Sequence, residues 1–550
     1  MMLETVTVGD YLISELQKIG ITEIFGLPGD YNFNLIDSVE KNPDVRWIGC
    51  TNELNAGYAA DGYARVKGYG AVLTTFGVGE LSAINAVAGS FAEGVPVIMI
   101  VGAPETKFIR DCVLKHHNFM EPDYFAFESA YSNVVQSTAF LDYDDPKAEI
   151  DRVLDIFIKK KKPVYIAVPA DVCLFKINSD SKIKEPQSNE VNLQESVEFA
   201  YGLIKRAQHP ILLADALIER NLAVESFEKF VKNSGIPVSS LVMGKGIADE
   251  SSDSFIGTYL GHYMNKEVYE TVNSSDCIIS AGTIFSDFNT FGFDFGFNPC
   301  DFIQILGTHV IIQNQVFEEV YMKDFLETLS DRLEYRTFSI VKSKPELGEI
   351  VIEEENPLNF EYILPRFEKF IKSDDLIFVD TGVLAFASAM LTMPRGAVLY
   401  NQFLWASIGW ATPAVFGASI AVKKKDRRVV LLTGEGSHQL TVQSLSSMIY
   451  HRLKPVIIVL NNKGYTIERA LSNTPEDNFN DIAEWDYTKL PEVFKGSVWT
   501  AKASTNREFD EVLKLVEKES ERQMCYIEIF TDKMDLPLLM RKYIEYEKSH

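Results

Sequence analysis

Between Leu431 and Glu468 the chain reads LLTGEGSHQLTVQSLSSMIYHRLKPVIIVLNNKGYTIE, the segment richest in groups able to do chemistry. Val429–Thr433 has the length and β-branched content of a buried strand. A tight turn, Gly434-Glu435-Gly436, is expected next, then a helix from about Ser437 and a second strand running to Asn461-Asn462. On parallel strands both polar segments stand at carboxyl ends, where α/β sheets bind ligands. A helix start preceded by glycines offers free N–H groups and a positive dipole end to phosphate. The Glu435 carboxylate and the Asn462 amide oxygen are hard ligands that suit Mg2+ held between protein and a diphosphate, with the Gly464 carbonyl as a third. Gly-acid-Gly alone is also a common structural turn. The Asn-Asn-x-Gly about two dozen residues after Gly436 makes the pair specific.

Other candidates for proton chemistry are Asp30, Glu53, the adjacent His116-His117, and Glu468. Taken singly, each has a plainer reading. Glu53 suits a helix N-terminus as a charge, a His-His pair is more often structural, and Ile408 reads as core.

The elements that must position these groups are short apolar runs alternating with amphipathic segments. Strands are expected at Ala71–Thr75, Pro96–Val101, Pro163–Val168, Pro210–Ala214, Asp276–Ser280, Phe302–Leu306, Leu376–Val379, Val429–Thr433, Val456–Leu460 and Cys525–Ile529. Helical patterns fall between them, as in Leu54–Lys67, Pro146–Lys161 and Leu440–Arg452. Runs apolar on both faces suit parallel strands covered by helices, so the expected class is α/β with doubly wound parallel sheets. Two polar stretches, Ile177–Asn192 and Val341–Asn356, have linker composition and divide the chain into 1–180, 193–340 and 357–550. The first and third segments are candidates for two copies of one unit. Lys159–Lys162 is expected to be a solvated helix end.

Composition narrows the partners. A net charge of −25 over 550 residues argues against nucleic acid or an anionic membrane surface. The six cysteines are scattered without a CxxC pair, as in a reduced, cytoplasmic protein. The amino terminus lacks the basic-then-apolar pattern of a signal peptide, and no apolar run is long enough to span a bilayer.

Three further segments, FGLPGDYNFNLID (Phe25–Asp37), TNELNAGYAADGYAR (Thr51–Arg65) and TTFGVGELSAINAVAGSFAE (Thr74–Glu93), together with the Leu431–Glu468 pattern, carry a resemblance to a known family. The chain resembles the thiamine-diphosphate-dependent 2-oxo acid decarboxylases, which include pyruvate, indolepyruvate, phenylpyruvate and branched-chain enzymes. Asp30 in GLPGD, His116-His117, and Ile467-Glu468 after NNKGYT match the decarboxylase branch. The resemblance implies three domains: pyrimidine-binding, central and diphosphate-binding. It implies conversion of a 2-oxo acid to an aldehyde and CO2 through a thiamine diphosphate ylide and enamine. Glu53 would hydrogen-bond the cofactor's pyrimidine ring, and Ile408 would hold the cofactor bent. Thr75, Thr381, Ala406, Gly434, Gly436, Ser437, Asn462 and Ile467 would complete its contacts, with Glu435, Asn462 and Gly464 on Mg2+. Asp30, Glu468, His116 and His117 would move protons; carboxyl groups sharing an apolar site are expected to titrate apart. Phe288, Ala385 and Leu471, with the segment Leu536–Tyr543, would form the substrate's side-chain pocket. The family builds its active site between chains, which implies a homodimer as the smallest active unit and a homotetramer as a dimer of dimers.

The sequence departs from the family pattern in places. Glu435 stands where Asp is usual, Lys463 replaces the Asp of NNDG, Ala406 replaces Gly, and NFMEPD after the histidines is atypical. Leu217 and Ile218 occupy the positions of cysteines linked to substrate activation in yeast-type members. The rival readings are an acetolactate-synthase-like carboligase, which lacks the Asp30, His-His and Ile-Glu set, and a catalytically silent homologue. A nicotinamide dehydrogenase is disfavoured because Ser82 occupies the third glycine position after Gly77-Val78-Gly79.

Overall fold

The computed structural model describes residues 5–180, 183–298, 302–347, 350, 356–423 and 427–549. Cys300 and part of the second expected linker lie outside the described residues. The chain forms two compact units, Met1–Pro186 with Phe416–Val422, and Gln187–Val415 with Lys423–His550.

In the first unit, β1 (Thr5–Thr7) precedes β2 (Glu23–Gly26), β3 (Arg46–Gly49), β4 (Gly70–Thr75), β5 (Val97–Ala103), β6 (Thr138–Phe140) and β7 (Val164–Pro169). Strands β2 to β7 form one sheet in the order β3-β2-β4-β5-β7-β6, every neighbouring pair parallel. β4, β5 and β7 are buried along their whole length, which explains their unbroken apolar character. β8 (Lys176–Asn178) pairs antiparallel with β1, so Ile177 is strand rather than linker. The helix Glu53–Lys67 starts at Asn52, whose side chain accepts from the Asn55 amide, and stops at Gly68 in the left-handed region. Phe416 packs edge-on against Phe25 at 5.9 Å, and Gly417 lies so close to Ala59 that a Cβ would fall 1.8 Å from its carbonyl oxygen. Lys161 is not a solvated end: it lies over the Tyr69 ring at 4.1 Å, and burial lowers its pKa to about 8.

The second unit holds two sheets. The first contains β9 (Pro210–Ala214), β10 (Val238–Ser240), β11 (Phe255–Thr258), β12 (Cys277–Ala281), β13 (Ile303–Ile305), β14 (His309–Ile312) and β15 (Gln315–Glu318). Their order is β11-β10-β9-β12-β13-β14-β15. The expectation of a purely parallel sheet fails at one edge, where β13, β14 and β15 run antiparallel. Gln313 and Asn314, both with positive φ (47° and 70°), make the two-residue turn that allows this hairpin.

The other sheet contains β16 (Leu376–Val379), β17 (Val398–Tyr400), β18 (Val429–Gly434), β19 (Val456–Asn461), β20 (Trp499–Ala503) and β21 (Cys525–Phe530). All its pairs are parallel, in the order β17-β16-β18-β19-β21-β20. The expected turn after β18 is absent. Gly434 ends the strand and caps a helix that already starts at Glu435. The expected Leu440–Arg452 helix is also divided, into Glu435–Thr441 and Ser444–Tyr450. At the start of the second, Leu445 and Ser446 bond to carbonyls three residues back, and at the end of the first the Thr441 hydroxyl donates to the Gly409 carbonyl at 2.6 Å. No helix among the described residues is long and apolar enough to cross a membrane.

Candidate active site

The registers Val379–Leu432 and Gly434–Leu460 bring the carboxyl ends of β16, β18 and β19 side by side. β16 and β18 flank the point where the strand order reverses, the position at which α/β sheets take ligands. Here Glu435 is almost fully buried, 2% exposed, and its Oε1 accepts from the amides of Gly464 (2.8 Å) and Asn462 (3.2 Å). Among the described residues no ion pair offsets its charge, and burial pushes its pKa up to about 7. A buried carboxylate with only amide donors is suited to a cation. Gly464 must be glycine: its φ is +132°, and a Cβ would lie 2.1 Å from the Asn480 carbonyl oxygen. Arg469, also buried, holds the same loop by donating to the Lys463 carbonyl (3.0 Å) and the Pro475 carbonyl (2.9 Å) while pairing with Asp481.

Beside this loop lies open space. A Cβ at Gly434 or at Gly382 would meet no heavy atom within 4 Å, and Gly382 has a φ of +131°. Ser437 reaches the Thr381 carbonyl at 3.5 Å. Gly436 packs against Tyr465 closely enough that a Cβ would sit 2.6 Å from the ring. Ala406 adopts a left-handed φ of 55°, and Ile408, two residues on, is half-buried rather than core.

A residue the sequence reading did not single out, Asp380, ties these segments together. Its carboxylate accepts from the Thr381 amide, the Gly409 amide and the Thr433 hydroxyl, each at 3.1 Å. Burial raises its pKa to about 7. The signal available in sequence was an acid directly after a strand and before Thr-Gly. His438, despite its place in the motif, is structural. Both ring nitrogens lie 2.9 Å from hydroxyls, of Thr412 and Tyr526, and burial lowers its pKa to about 3.

In the first unit the corresponding strand ends carry acids and imidazoles. Asp30 Oδ2 lies 2.9 Å from His116 Nε2, with both side chains about half exposed. His117 has a φ of +67°, and its ring stands edge-on to that of His116 at 4.7 Å. Tyr31 stacks on His116 at 4.8 Å. Gly77 passes under this loop, where a Cβ would fall 2.1 Å from the His117 carbonyl oxygen. Tyr124 is buried and donates to the Val113 carbonyl, which closes the loop seven residues after His117. Glu53 opens its helix, with its Oε1 3.4 Å from where a Cβ on Gly79 would lie. Thr75, under Gly29, has a buried hydroxyl with no partner among the described residues. Glu80, also missed, is buried and accepts from the Gly77 amide and the Tyr165 hydroxyl, each at 2.7 Å.

Of the expected pocket residues, Phe288 and Ala385 lie in one apolar cluster of the second unit. Phe386, Phe403 and Tyr543 surround Phe288, with ring centroids 5.6, 6.3 and 6.1 Å away. Ile467 packs on the same cluster, but Leu471 is 44% exposed outside it, and Glu468 is exposed. The five described cysteines are all free thiols.

The comparisons with known proteins agree with this geometry. Family models match three stretches: "Thiamine pyrophosphate enzyme, N-terminal TPP binding domain" over 6–127, "central domain" over 197–330, and "C-terminal TPP binding domain" over 380–529. Among similar proteins, pyruvate decarboxylase isozyme 1 of Saccharomyces cerevisiae is 34% identical over 551 residues, 97% of each chain. Pyruvate decarboxylase of Candida glabrata is 36% identical with the same coverage. That of Aspergillus fumigatus is 35% identical over 98% of this chain and 96% of its own.

Proposed function

The chain belongs to the thiamine pyrophosphate enzymes, as a 2-oxo acid decarboxylase of the pyruvate decarboxylase family, and from that premise we propose how its residues act and which acid it prefers. Its cofactor is thiamine diphosphate, with Mg2+ as the usual partner metal. When bound, that cofactor supplies the electron sink for loss of CO2.

Buried Glu435, which meets amide donors and no cationic side chain among the described residues, carries the assignment of the metal site. Glu435, Asn462 and the Gly464 carbonyl take Mg2+. The N–H groups of Gly436 and Ile467 and the Ser437 hydroxyl take the diphosphate, with Gly434 leaving room for it. Thr381 and the Ala406 carbonyl would line the cofactor's place, and Ile408 would press against it. Asp380 positions both segments by holding the Thr381 and Gly409 amides. Glu53 makes the pyrimidine basic, and the unpartnered Thr75 hydroxyl bonds the same cofactor. Asp30, His116, His117 and Glu468 place the substrate carboxylate and return the proton that completes the aldehyde.

The favoured acid is short, with pyruvate foremost. The ring cluster around Phe288 supports this, because it fills space a large side chain would need. Ala385 and Leu471 are the weaker edge of that pocket. A homodimer is the proposed active unit, assembling further into a tetramer in the cytoplasm. Val78, Leu81, Leu404, Trp405 and Leu440, apolar yet exposed near the cofactor segments, support an interface there.

The test is aldehyde release coupled to an NADH-dependent alcohol dehydrogenase, with pyruvate, 2-oxoisovalerate, phenylpyruvate and indolepyruvate, with and without thiamine diphosphate and Mg2+. Pyruvate is expected to give the highest kcat/KM. A higher value for either aromatic acid overturns the substrate assignment. An acetolactate-like product without aldehyde overturns the assigned proton-return roles. Sedimentation of the holoenzyme checks the assembly, and a monomer with full activity sinks it.

A further inference from the structure

We infer that Asp30, His116 and His117 also form a transition-metal site, which takes an ion such as Zn2+ and, when filled, inhibits the enzyme. The inhibition rests on the proton-handling roles proposed above; the binding does not.

One carboxylate oxygen and two ring nitrogens, one from each residue, all lie within 4.8 Å of one another. Adjacent side chains on an extended chain point to opposite sides. The left-handed turn at His117 defeats that rule and sets its ring against that of His116. The turn is braced from below by Gly77. Tyr31 braces the other ring: it stacks on His116, and its hydroxyl lies 3.3 Å from His116 Nδ1, leaving Nε2 toward Asp30. A ring nitrogen held by a neighbour while the other faces a cation site is the usual arrangement of a metal-binding histidine. His117 Nδ1 is buried and has no hydrogen-bond partner among the described residues.

The donor set decides the ion. Two imidazoles and one carboxylate, open on one side, suit Zn2+ and its neighbours Co2+, Ni2+ and Cu2+. Mg2+ prefers oxygen ligands in near-octahedral geometry, so the oxygen set at Glu435, Asn462 and Gly464 suits a different class of metal. Zinc–nitrogen bonds of about 2.0–2.1 Å need the donors somewhat closer than they stand. The Asp30 side chain is about half exposed and can turn toward both rings while Tyr31 keeps that of His116 in place. A bound ion would occupy the lone pairs that the proposed proton transfers require.

The experiment is Zn2+ binding by equilibrium dialysis to the holoenzyme at saturating thiamine diphosphate and Mg2+, with Co2+ absorption as an independent readout. Parent, Asp30→Asn, His117→Gln and Glu435→Gln proteins are compared, with circular dichroism as the folding control. The expected result is one site, weakened at least about tenfold by Asp30→Asn and by His117→Gln, and retained in Glu435→Gln. No binding, binding unchanged by the first two variants, or displacement of Zn2+ by excess Mg2+ overturns the site. Aldehyde assays on the parent protein separate the two readings. Binding with undiminished activity keeps the site and sinks the inhibition, together with the proton-handling roles behind it.

Discussion

Two sheets of this molecule, β3-β2-β4-β5-β7-β6 and β17-β16-β18-β19-β21-β20, share one strand order and one all-parallel pattern. In chain order each runs 2-1-3-4-6-5, so the reversal point lies between its first and third strands. Both place their polar residues there, yet the chemistries differ. The first sheet offers Asp30, Thr75 and the histidines; the other offers amides, open glycines, Glu435 and Asn462. The strand order fixes where a ligand is met, and the loops fix what meets it.

The two sheets also part ways at the helix after the third strand. In both sheets a glycine caps it, Gly77 or Gly434, and a buried glutamate lies in its first turn, Glu80 or Glu435. Burial pushes both carboxyls to about pKa 7. Glu80 turns inward and is satisfied by its own cap and Tyr165. Glu435 turns to the loop beyond the next strand, where only amides meet it. The first turn of this helix thus carries a structural lock in one sheet and, on the proposed reading, a cation ligand in the other.

The largest expected effect tests the chemistry of the first sheet. Glu53→Gln should lower kcat by about 1000-fold while thiamine diphosphate still binds, measured by single-turnover aldehyde release and cofactor titration. Equal loss of cofactor binding would make Glu53 a binding group instead. Next, Glu435→Gln should weaken Mg2+-dependent cofactor binding by roughly 100-fold, or about 2.7 kcal/mol, with little change in folding. Unchanged affinity on titrating the apoenzyme would remove the contrast with Glu80.

The third test asks whether Glu80 is only a lock. Its folded pKa, about 7, lies above the ordinary 4.5 of the unfolded chain, so the folded state binds the extra proton. Its contribution to stability is complete below about pH 4.5 and is lost as pH rises through 7. Glu80→Gln removes that slope, so at pH 8 the variant should be more stable by about 3 kcal/mol, with no gain below pH 4.5. Urea unfolding at both pH values measures it, and a parallel pH dependence in the two proteins would refute it. Smallest of all, Ala406→Gly relieves a left-handed alanine but loosens the unfolded chain. A net gain of about 0.5 kcal/mol is expected by thermal unfolding, with activity retained.

Much of this was legible in the chain itself. β9 and β16 fall on the expected residues because both are unbroken apolar runs buried on both faces. The Gly-Glu-Gly and Asn-Asn segments could be paired because they end neighbouring parallel strands. Strands such as β3, β6 and β20 escaped notice, being three to five residues long and only partly buried. The β14–β15 hairpin was hidden because neither Gln313 nor Asn314 is a glycine. Asp380 and Glu80 matter partly through partners distant in sequence, Thr433 and Tyr165, which no local pattern names. Tyr31 is similar: it acts through a stacking partner 85 residues away.

The packing of Phe416–Val422 within the first unit has a consequence for synthesis. The unit's other residues end at Pro186, so about 230 residues must follow before its last piece exists. At 5–20 residues per second that interval is roughly 10–50 s. Throughout it, Phe25 lacks the ring of Phe416 and the backbone at Ala59 lacks the cover of Gly417. The nascent amino-terminal sheet must therefore wait with an unfinished surface, and a fragment cut at Pro186 should inherit that gap permanently.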